Sequence, residues 1–232
     1  MVVCPLALTA AAAASRVTGW VGGANIPAES ADLPCPKIQG IKVCPIQTLS
    51  IVRVVSFEHE SATLLAYPPA ELATLRNATL LDQKDIKLSA GVLHALPLKG
   101  DADAIAIDAE ISFTLAPGPA NFSVTAFADP RDPTAGVEVM ISVGAPLPGG
   151  GRNATLSVRA GPTHTFPLLV GEAALQLRVL IDRSIAEFFV AGGRAVYTTR
   201  HYPAAGSGAV TVGASADTAV SAAVYEMGCG WV

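Results

Sequence analysis

Beyond residue 77, apolar and polar residues alternate with a period of two along most of the chain. The clearest example is residues 104–115, Ala-Ile-Ala-Ile-Asp-Ala-Glu-Ile-Ser-Phe-Thr-Leu. Successive side chains of a strand point to opposite faces, so this pattern predicts a half-buried strand. The same reasoning predicts strands at 122–128, 137–143, 154–158, 164–170, 209–214 and 221–227. Gly and Pro separate them, and no helical period is sustained. One short exception is 70–76, where the pair Pro68-Pro69 introduces a predicted helical turn. Many short strands between such turns predict an all-β fold, a two-sheet antiparallel β-sandwich.

Residues 177–203 carry the most information. They read Leu-Arg-Val-Leu-Ile-Asp-Arg-Ser-Ile-Ala-Glu-Phe-Phe-Val-Ala-Gly-Gly-Arg-Ala-Val-Tyr-Thr-Thr-Arg-His-Tyr-Pro and predict three consecutive antiparallel strands. Gly192-Gly193 is expected to be a two-residue hairpin loop, because both central positions of a type I′ turn need positive φ. Asp182-Arg183-Ser184 makes the preceding turn, and Pro203 ends the third strand. Counting outward from these turns pairs Glu187 with Leu180 and Thr198, and Phe189 with Arg178 and Val196. Leu177, Val179, Ile181, Ala186, Phe188, Val190, Ala195, Tyr197 and Thr199 then share a core face. The opposite face carries Arg178, Leu180, Asp182, Ile185, Glu187, Phe189, Val196, Thr198 and Arg200. On it Glu187 lies diagonally between Arg178 and Arg200, and either arginine is the expected partner of its carboxylate.

This segment resembles the C-terminal signature of glycoside hydrolase family 32, the invertases, inulinases and plant fructosyltransferases. The resemblance rests on Asp182, Arg183, Ser184, Ile185, Glu187, Gly192, Gly193, Arg194, Thr199, Arg200, His201, Tyr202 and Pro203. It implies a β-sandwich that follows a catalytic β-propeller, and β-fructofuranosidase-type chemistry on sucrose or fructans. Upstream, Arg16–Val21 resembles a strand of the last propeller blade, and Gln47–Phe57 the strand that leaves the propeller, with Val52 where the family has Pro. Leu64–Arg76 is similar to the family's linker. Two parts are therefore expected: residues 1–62, resembling the last propeller strands and linker, and residues 63–232, the sandwich. The stretch 24–45, rich in Pro and Gly, reads as a loop.

Retaining glycosidases need two carboxyl groups roughly 5 Å apart, a nucleophile and an acid/base. The resemblance implies that Asn-Asp-Pro, Arg-Asp-Pro and Glu-Cys motifs of the propeller supply the site. This sequence contains neither Asn-Asp-Pro nor Glu-Cys. Its Arg131-Asp132-Pro133 falls among sandwich strands, directly after Asp129-Pro130, and reads as a Pro-rich turn. No residue of the chain is assigned a catalytic role. The expectation is a family member or fragment that keeps the sandwich and is not catalytic alone. A stand-alone carbohydrate-binding module, or a structural module docking on a separate propeller chain, is the alternative; the former needs an exposed aromatic platform, and only 6% of residues are aromatic.

Composition narrows the classes further. A net charge of −4 offers no basic surface for nucleic acid, and no apolar run is long enough for a membrane-spanning helix. His59, His94, His164 and His201 do not occur at ligand spacing, so neither a metal nor another cofactor is expected. Gly149-Gly150-Gly151 opens no helix and reads as a hairpin turn rather than a phosphate cradle. Trp20 and Trp231 read as core residues. Cys35 and Cys44 either close a short loop or remain thiols, and Cys4 and Cys229 have no spacing signal. Three Asn-x-Ser/Thr sequons, at Asn77, Asn121 and Asn153, point to glycosylation and a secreted or vacuolar protein. Met1–Ser15 reads either as a signal peptide, apolar and ending in small residues but without a basic start, or as a buried strand.

Overall fold

The computed structural model describes residues 50–99, 106–129, 131–132, 135–159, 161–201, 203 and 206–228 in full. Before residue 50 it describes five short strands by their backbone. In chain order the strands are β1 (Ser15–Val17), β2 (Trp20–Gly22), β3 (Lys37–Ile38), β4 (Ile41–Lys42), β5 (Gln47–Leu49), β6 (Arg53–Glu58) and β7 (Thr63–Tyr67). A 3-10 turn, Ala70–Leu75, follows with Pro69 at its N-cap. Then come β8 (Arg76–Leu88), β9 (Leu93–Ala95), β10 (Ala106–Thr114), β11 (Ala120–Ala128), β12 (Val137–Pro146), β13 (Arg152–Val158), β14 (Thr163–Leu168), β15 (Ala174–Asp182), β16 (Ile185–Val190), β17 (Ala195–Arg200), β18 (Ala209–Ala214) and β19 (Thr218–Met227).

Twelve of these strands form two six-stranded antiparallel sheets, ordered β17-β16-β15-β10-β19-β8 and β14-β13-β12-β11-β18-β9. The predicted sandwich is therefore the observed fold. Its core lies between the sheets because each strand turns one side chain in two inward. Ile107, Ile111, Phe113, Val179 and Phe188 of the first sheet and Phe122, Val124, Val139, Ile141 and Phe166 of the second are at most 2% exposed. The Phe113 and Phe122 rings meet across the layers with centroids 4.9 Å apart. A smaller sheet, β1-β6-β7, precedes the sandwich.

Several details differ from the sequence reading. The stretch 24–45 is not loop throughout, since β3 and β4 pair within it. Gln47–Phe57 is not one strand: it breaks at Ser50–Val52 into β5 and β6. The break falls where the Ile51 N–H donates to Glu187 instead of to a neighbouring strand. The long edge strand β8 is not singled out by the alternation, because it is mostly polar. Only Leu80, Leu81, Leu88 and the partly buried Ile86 reach the core, and the register against β19 shifts three times.

The register counted for the signature strands holds. Leu180 and Thr198 flank Glu187, and Arg178 and Val196 flank Phe189. The loop is longer than two residues. Gly192 (φ 67°) and Gly193 (φ 92°) form the turn with positive φ, closed by Arg194 N–H to the Ala191 carbonyl at 3.3 Å. Ala191 also has positive φ (49°) and Arg194 is helical, so the ladder ends one residue earlier, at Val190 and Ala195.

The two glycines are not equivalent. A Cβ on Gly192 meets nothing within 4 Å, whereas on Gly193 it runs into the backbone of Ala66, with the carbonyl carbon at 2.8 Å. Gly193 is thus where β7 crosses the signature loop. Gly192→Ala is expected to cost about 1 kcal/mol, the left-handed penalty alone. Gly193→Ala should cost at least about 2 kcal/mol more, because backbone must move. Urea unfolding of both variants tests this; equal losses would refute the crossing as the constraint.

Candidate functional site

On β16, every residue from Ala186 to Val190 is buried. A strand of a two-layer sandwich normally shows one face to solvent, so something covers this one from outside. The cover is residues 51–75. Leu72, Leu180 and Phe189 form a second apolar cluster, packed by Ile51, Tyr67, Leu75, Val196 and Met227. The Tyr67 ring stands edge-on to Phe189, with centroids 5.8 Å apart. Each such buried side chain contributes about 1.5–3 kcal/mol, enough to hold the segment down.

Three arginine–carboxylate clusters surround this apolar patch. Glu187, 4% exposed, accepts from the Ile51 N–H at 2.5 Å, from Arg53 Nη2 at 2.7 Å and from the Thr198 hydroxyl at 3.0 Å. Arg53 Nη2 also reaches the Thr198 oxygen, and its guanidinium lies 5.4 Å from the centre of the Phe189 ring. Arg194 grips Glu58 with Nε at 2.6 Å and Nη2 at 3.0 Å, and turns Nη1 to Glu172 at 2.6 Å. Glu172 accepts in turn from the Leu169 N–H at 2.9 Å. Asp108, fully buried, receives a two-pronged contact from Arg178, both bonds 2.8 Å, and a third from Arg76 Nε at 2.8 Å. Arg76 continues to Glu110 and lies 4.0 Å over the Tyr225 ring.

The arrangement corrects the expected partners of Glu187. Arg178 faces Asp108 on the neighbouring β10, where the register sets Glu110 opposite Arg178. The cation that meets Glu187 is Arg53, 134 positions earlier in the chain. Arg200 is half-buried at the end of β17, opposite Ile185.

The electrostatics follow from these contacts. The hydrogen bonds from Arg194 hold the Glu58 carboxyl below the usual carboxylate range, against an opposing push from burial. Burial pushes the Tyr67 phenol up. Burial also lowers His201, whose ring lies 5.3 Å from that of Phe127; its backbone N–H donates to the Ser184 carbonyl at 2.8 Å. Each carboxylate at this face accepts from an arginine, so chemically the arrangement joins segments rather than moving protons.

Arg131-Asp132 sits elsewhere, on the loop after β11. The Arg131 fork closes on Asp129 with two bonds of 2.9 Å and holds that carboxyl at about 2. Asp132 bridges back to Asp129, so Arg131 and Asp132 lie in a turn of the sandwich. Asp182 ends β15 exposed, Arg183 and Ser184 make the turn with Arg183 at φ 53°, and Pro203 is half-buried beyond β17. Gly149 and Gly150, both of positive φ, make the β12–β13 hairpin. Among the described residues no group of three His, Cys, Asp or Glu could hold a metal ion, and no helix is long and apolar enough to cross a membrane. Tyr202, Pro133, Trp231, the four cysteines and Met1–Ala14 lie outside the described residues.

Sequence reasoning missed Arg53, Glu58, Arg76 and Asp108 as members of the face. The available signal was Asp108 and Glu110, two acids on one side of an otherwise apolar strand, which demand cations if that side is covered.

Two outcomes are expected. Glu187→Gln should destabilise by about 1–3 kcal/mol, and a cycle with Arg53→Met should show coupling above about 0.5 kcal/mol. Coupling to Arg178→Met in place of Arg53→Met would contradict the pairing. Glu58 has a folded pKa below its unfolded value of about 4.3, so its contribution is present above that pH and lost as pH falls through the folded value. Chemical denaturation between about pH 5 and 3 should therefore show a smaller stability loss for Glu58→Gln than for the parent protein. An identical pH slope would count against the Arg194 grip.

No curated protein sequence matches the chain. The family description "Glycosyl hydrolases family 32 C terminal" matches residues 71–226. Among solved structures, fructan 1-exohydrolase IIa from Cichorium intybus is similar over 92% of this chain and 45% of its own, at 18% identity and a TM-score of 0.69. Exo-inulinase from Aspergillus awamori is similar over 93% of this chain and 41% of its own, at 16% identity and a TM-score of 0.60. For sucrose-6-phosphate hydrolase from Lactobacillus gasseri the figures are 92%, 38%, 17% and 0.55. At these identities the likeness is one of fold, and the chain spans less than half the length of each. With the family match covering most of the described sandwich, the chain belongs to glycosyl hydrolase family 32, and residues 71–226 are its C-terminal domain.

Proposed function

We propose that this chain serves as the supporting sandwich of a β-fructosidase-type hydrolase of sucrose or fructans, and that its work is to seat a catalytic propeller. The observation that carries this reading is the covered outer face of β16. Phe189, 0% exposed, lies under the Tyr67 ring and the Arg53 guanidinium, and Glu187, 4% exposed, is met by Ile51 and Arg53, two residues that precede the sandwich. Such a face fits a sheet built to hold another body of protein rather than sugar in solution. The division between the parts falls within the β6–β7 hairpin, near residue 62, so that β6 goes with the propeller strands and β7 with the sandwich. Arg53 and Glu58 are then the propeller side's contacts, and Glu187 and Arg194 the sandwich's. The carboxyl pair that a retaining glycosidase requires would come from the propeller, since Glu58, Asp108, Glu172 and Glu187 are all engaged by arginines.

A stand-alone carbohydrate-binding module has no specific observation in its favour. Phe57 is the one ring among the exposed large hydrophobics of the described residues, and it stacks edge-on against His59 at 4.9 Å. A sugar platform needs a flat, open ring.

The test is direct. The purified chain is expected to release no fructose from sucrose, inulin or levan. Turnover that disappears in Asp132→Asn would overturn the reading and make Arg131-Asp132-Pro133 a working site.

A further inference from the structure

The outward face of the second sheet is the surface opposite the arginine face. Two of the three sequons lie on it, and strand geometry is the reason. Residues i and i+2 of a strand share a face. In β11, Phe122 is 2% exposed and points inward, so Asn121 and Ser123 point outward together. In β13, Ala154 is fully buried, so Asn153 and Thr155 do the same. The register runs Asn121–Ser142–Thr155 across three strands. This sets the two asparagines two strands apart and two residues along, roughly 12 Å.

Both asparagines are exposed, and among the described residues no hydrogen bond uses either side-chain amide. The backbone of Asn121 is held all the same: its N–H donates to the Ser215 hydroxyl at 2.9 Å, and its carbonyl accepts from the Ser215 N–H at 2.8 Å. Each site thus offers a free amide nitrogen on a fixed strand. On the central strand, diagonal to Asn121 and on its side away from Asn153, Met140, paired with Ser123 and Ser157, leaves an apolar side chain 42% exposed in a hydroxyl-rich surface. A sugar ring anchored beside it has an apolar face to lay there. Asn77 differs. It is exposed on the edge strand of the other sheet, next to Gly228, at the end where Gly228 N–H bonds the Leu75 carbonyl.

We propose that Asn121 and Asn153 both carry N-linked glycans, which makes the outward face of the second sheet the sugar-covered side of the molecule and the secretory pathway its route. The donor is an oligosaccharide on a polyprenyl pyrophosphate. The amide nitrogen forms a bond to the anomeric carbon, the anomeric carbon–oxygen bond to pyrophosphate breaks, and one amide proton leaves to base. The assignment does not depend on the supporting role proposed above.

Protein isolated from its native source, treated with peptide-N-glycosidase in ¹⁸O water, is expected to show Asn121 and Asn153 converted to ¹⁸O-labelled Asp. In the full chain secreted from eukaryotic cells, Asn121→Gln and Asn153→Gln should each remove one glycan by intact mass, and the double variant two. The Tm of the deglycosylated variants should match that of deglycosylated parent, because neither amide is bonded. Unlabelled Asn at either position in the native protein, or a glycan count unchanged in either variant, would overturn the proposal.

Discussion

Glu187 is a carboxylate on a strand that has no solvent on either side, and much of the interface depends on how that charge is met. An ionised carboxylate taken out of water without partners is far too costly to tolerate. Here it has three donors: a backbone N–H, a hydroxyl and a guanidinium. Two of them, Ile51 and Arg53, come from before the sandwich. The acid is therefore satisfied only when residues 51–53 lie across the sheet. This explains why the strand predicted over 47–57 breaks where it does.

Magnitudes separate attraction from register. The apolar cluster of Leu72, Leu180 and Phe189, at about 1.5–3 kcal/mol per side chain, supplies the larger favourable term. A buried ion pair roughly offsets its own desolvation, but breaking it is expensive. The arginines therefore contribute position more than strength. Arg53 to Glu187 fixes one end of β6, and Arg194 to Glu58 fixes the other. Between them β7 passes so close to Gly193 that no side chain fits there.

The two outward faces of the sandwich have consequently different chemistry. The face of the first sheet is closed by arginine–carboxylate clusters and aromatic rings, with Arg178 5.8 Å from the centre of the Tyr67 ring. The face of the second is open and rich in hydroxyls, with two sequons on it. An antiparallel sheet tolerates either environment, because alternation makes its outer side chains independent of the core.

Alternation and turn chemistry made the sandwich legible in the sequence. β18 was readable to the residue, and the pairing of Glu187 with Leu180 and Thr198 followed from counting outward from two turns. Both are local properties, set by side-chain period and by where glycine is required. The polar edge strand β8 was not readable, since an edge strand needs few apolar residues. The partner of Glu187 was not readable either. Diagonal neighbours on the same sheet pointed to Arg178 and Arg200, yet Arg178 is drawn to the fully buried Asp108 on the next strand, and Glu187 meets Arg53 from far away in the chain. A strand pattern determines which side chains leave the core face. Which cation reaches a given acid depends on what folds over that face, and this contact, 134 residues apart in sequence, exists only in the tertiary structure.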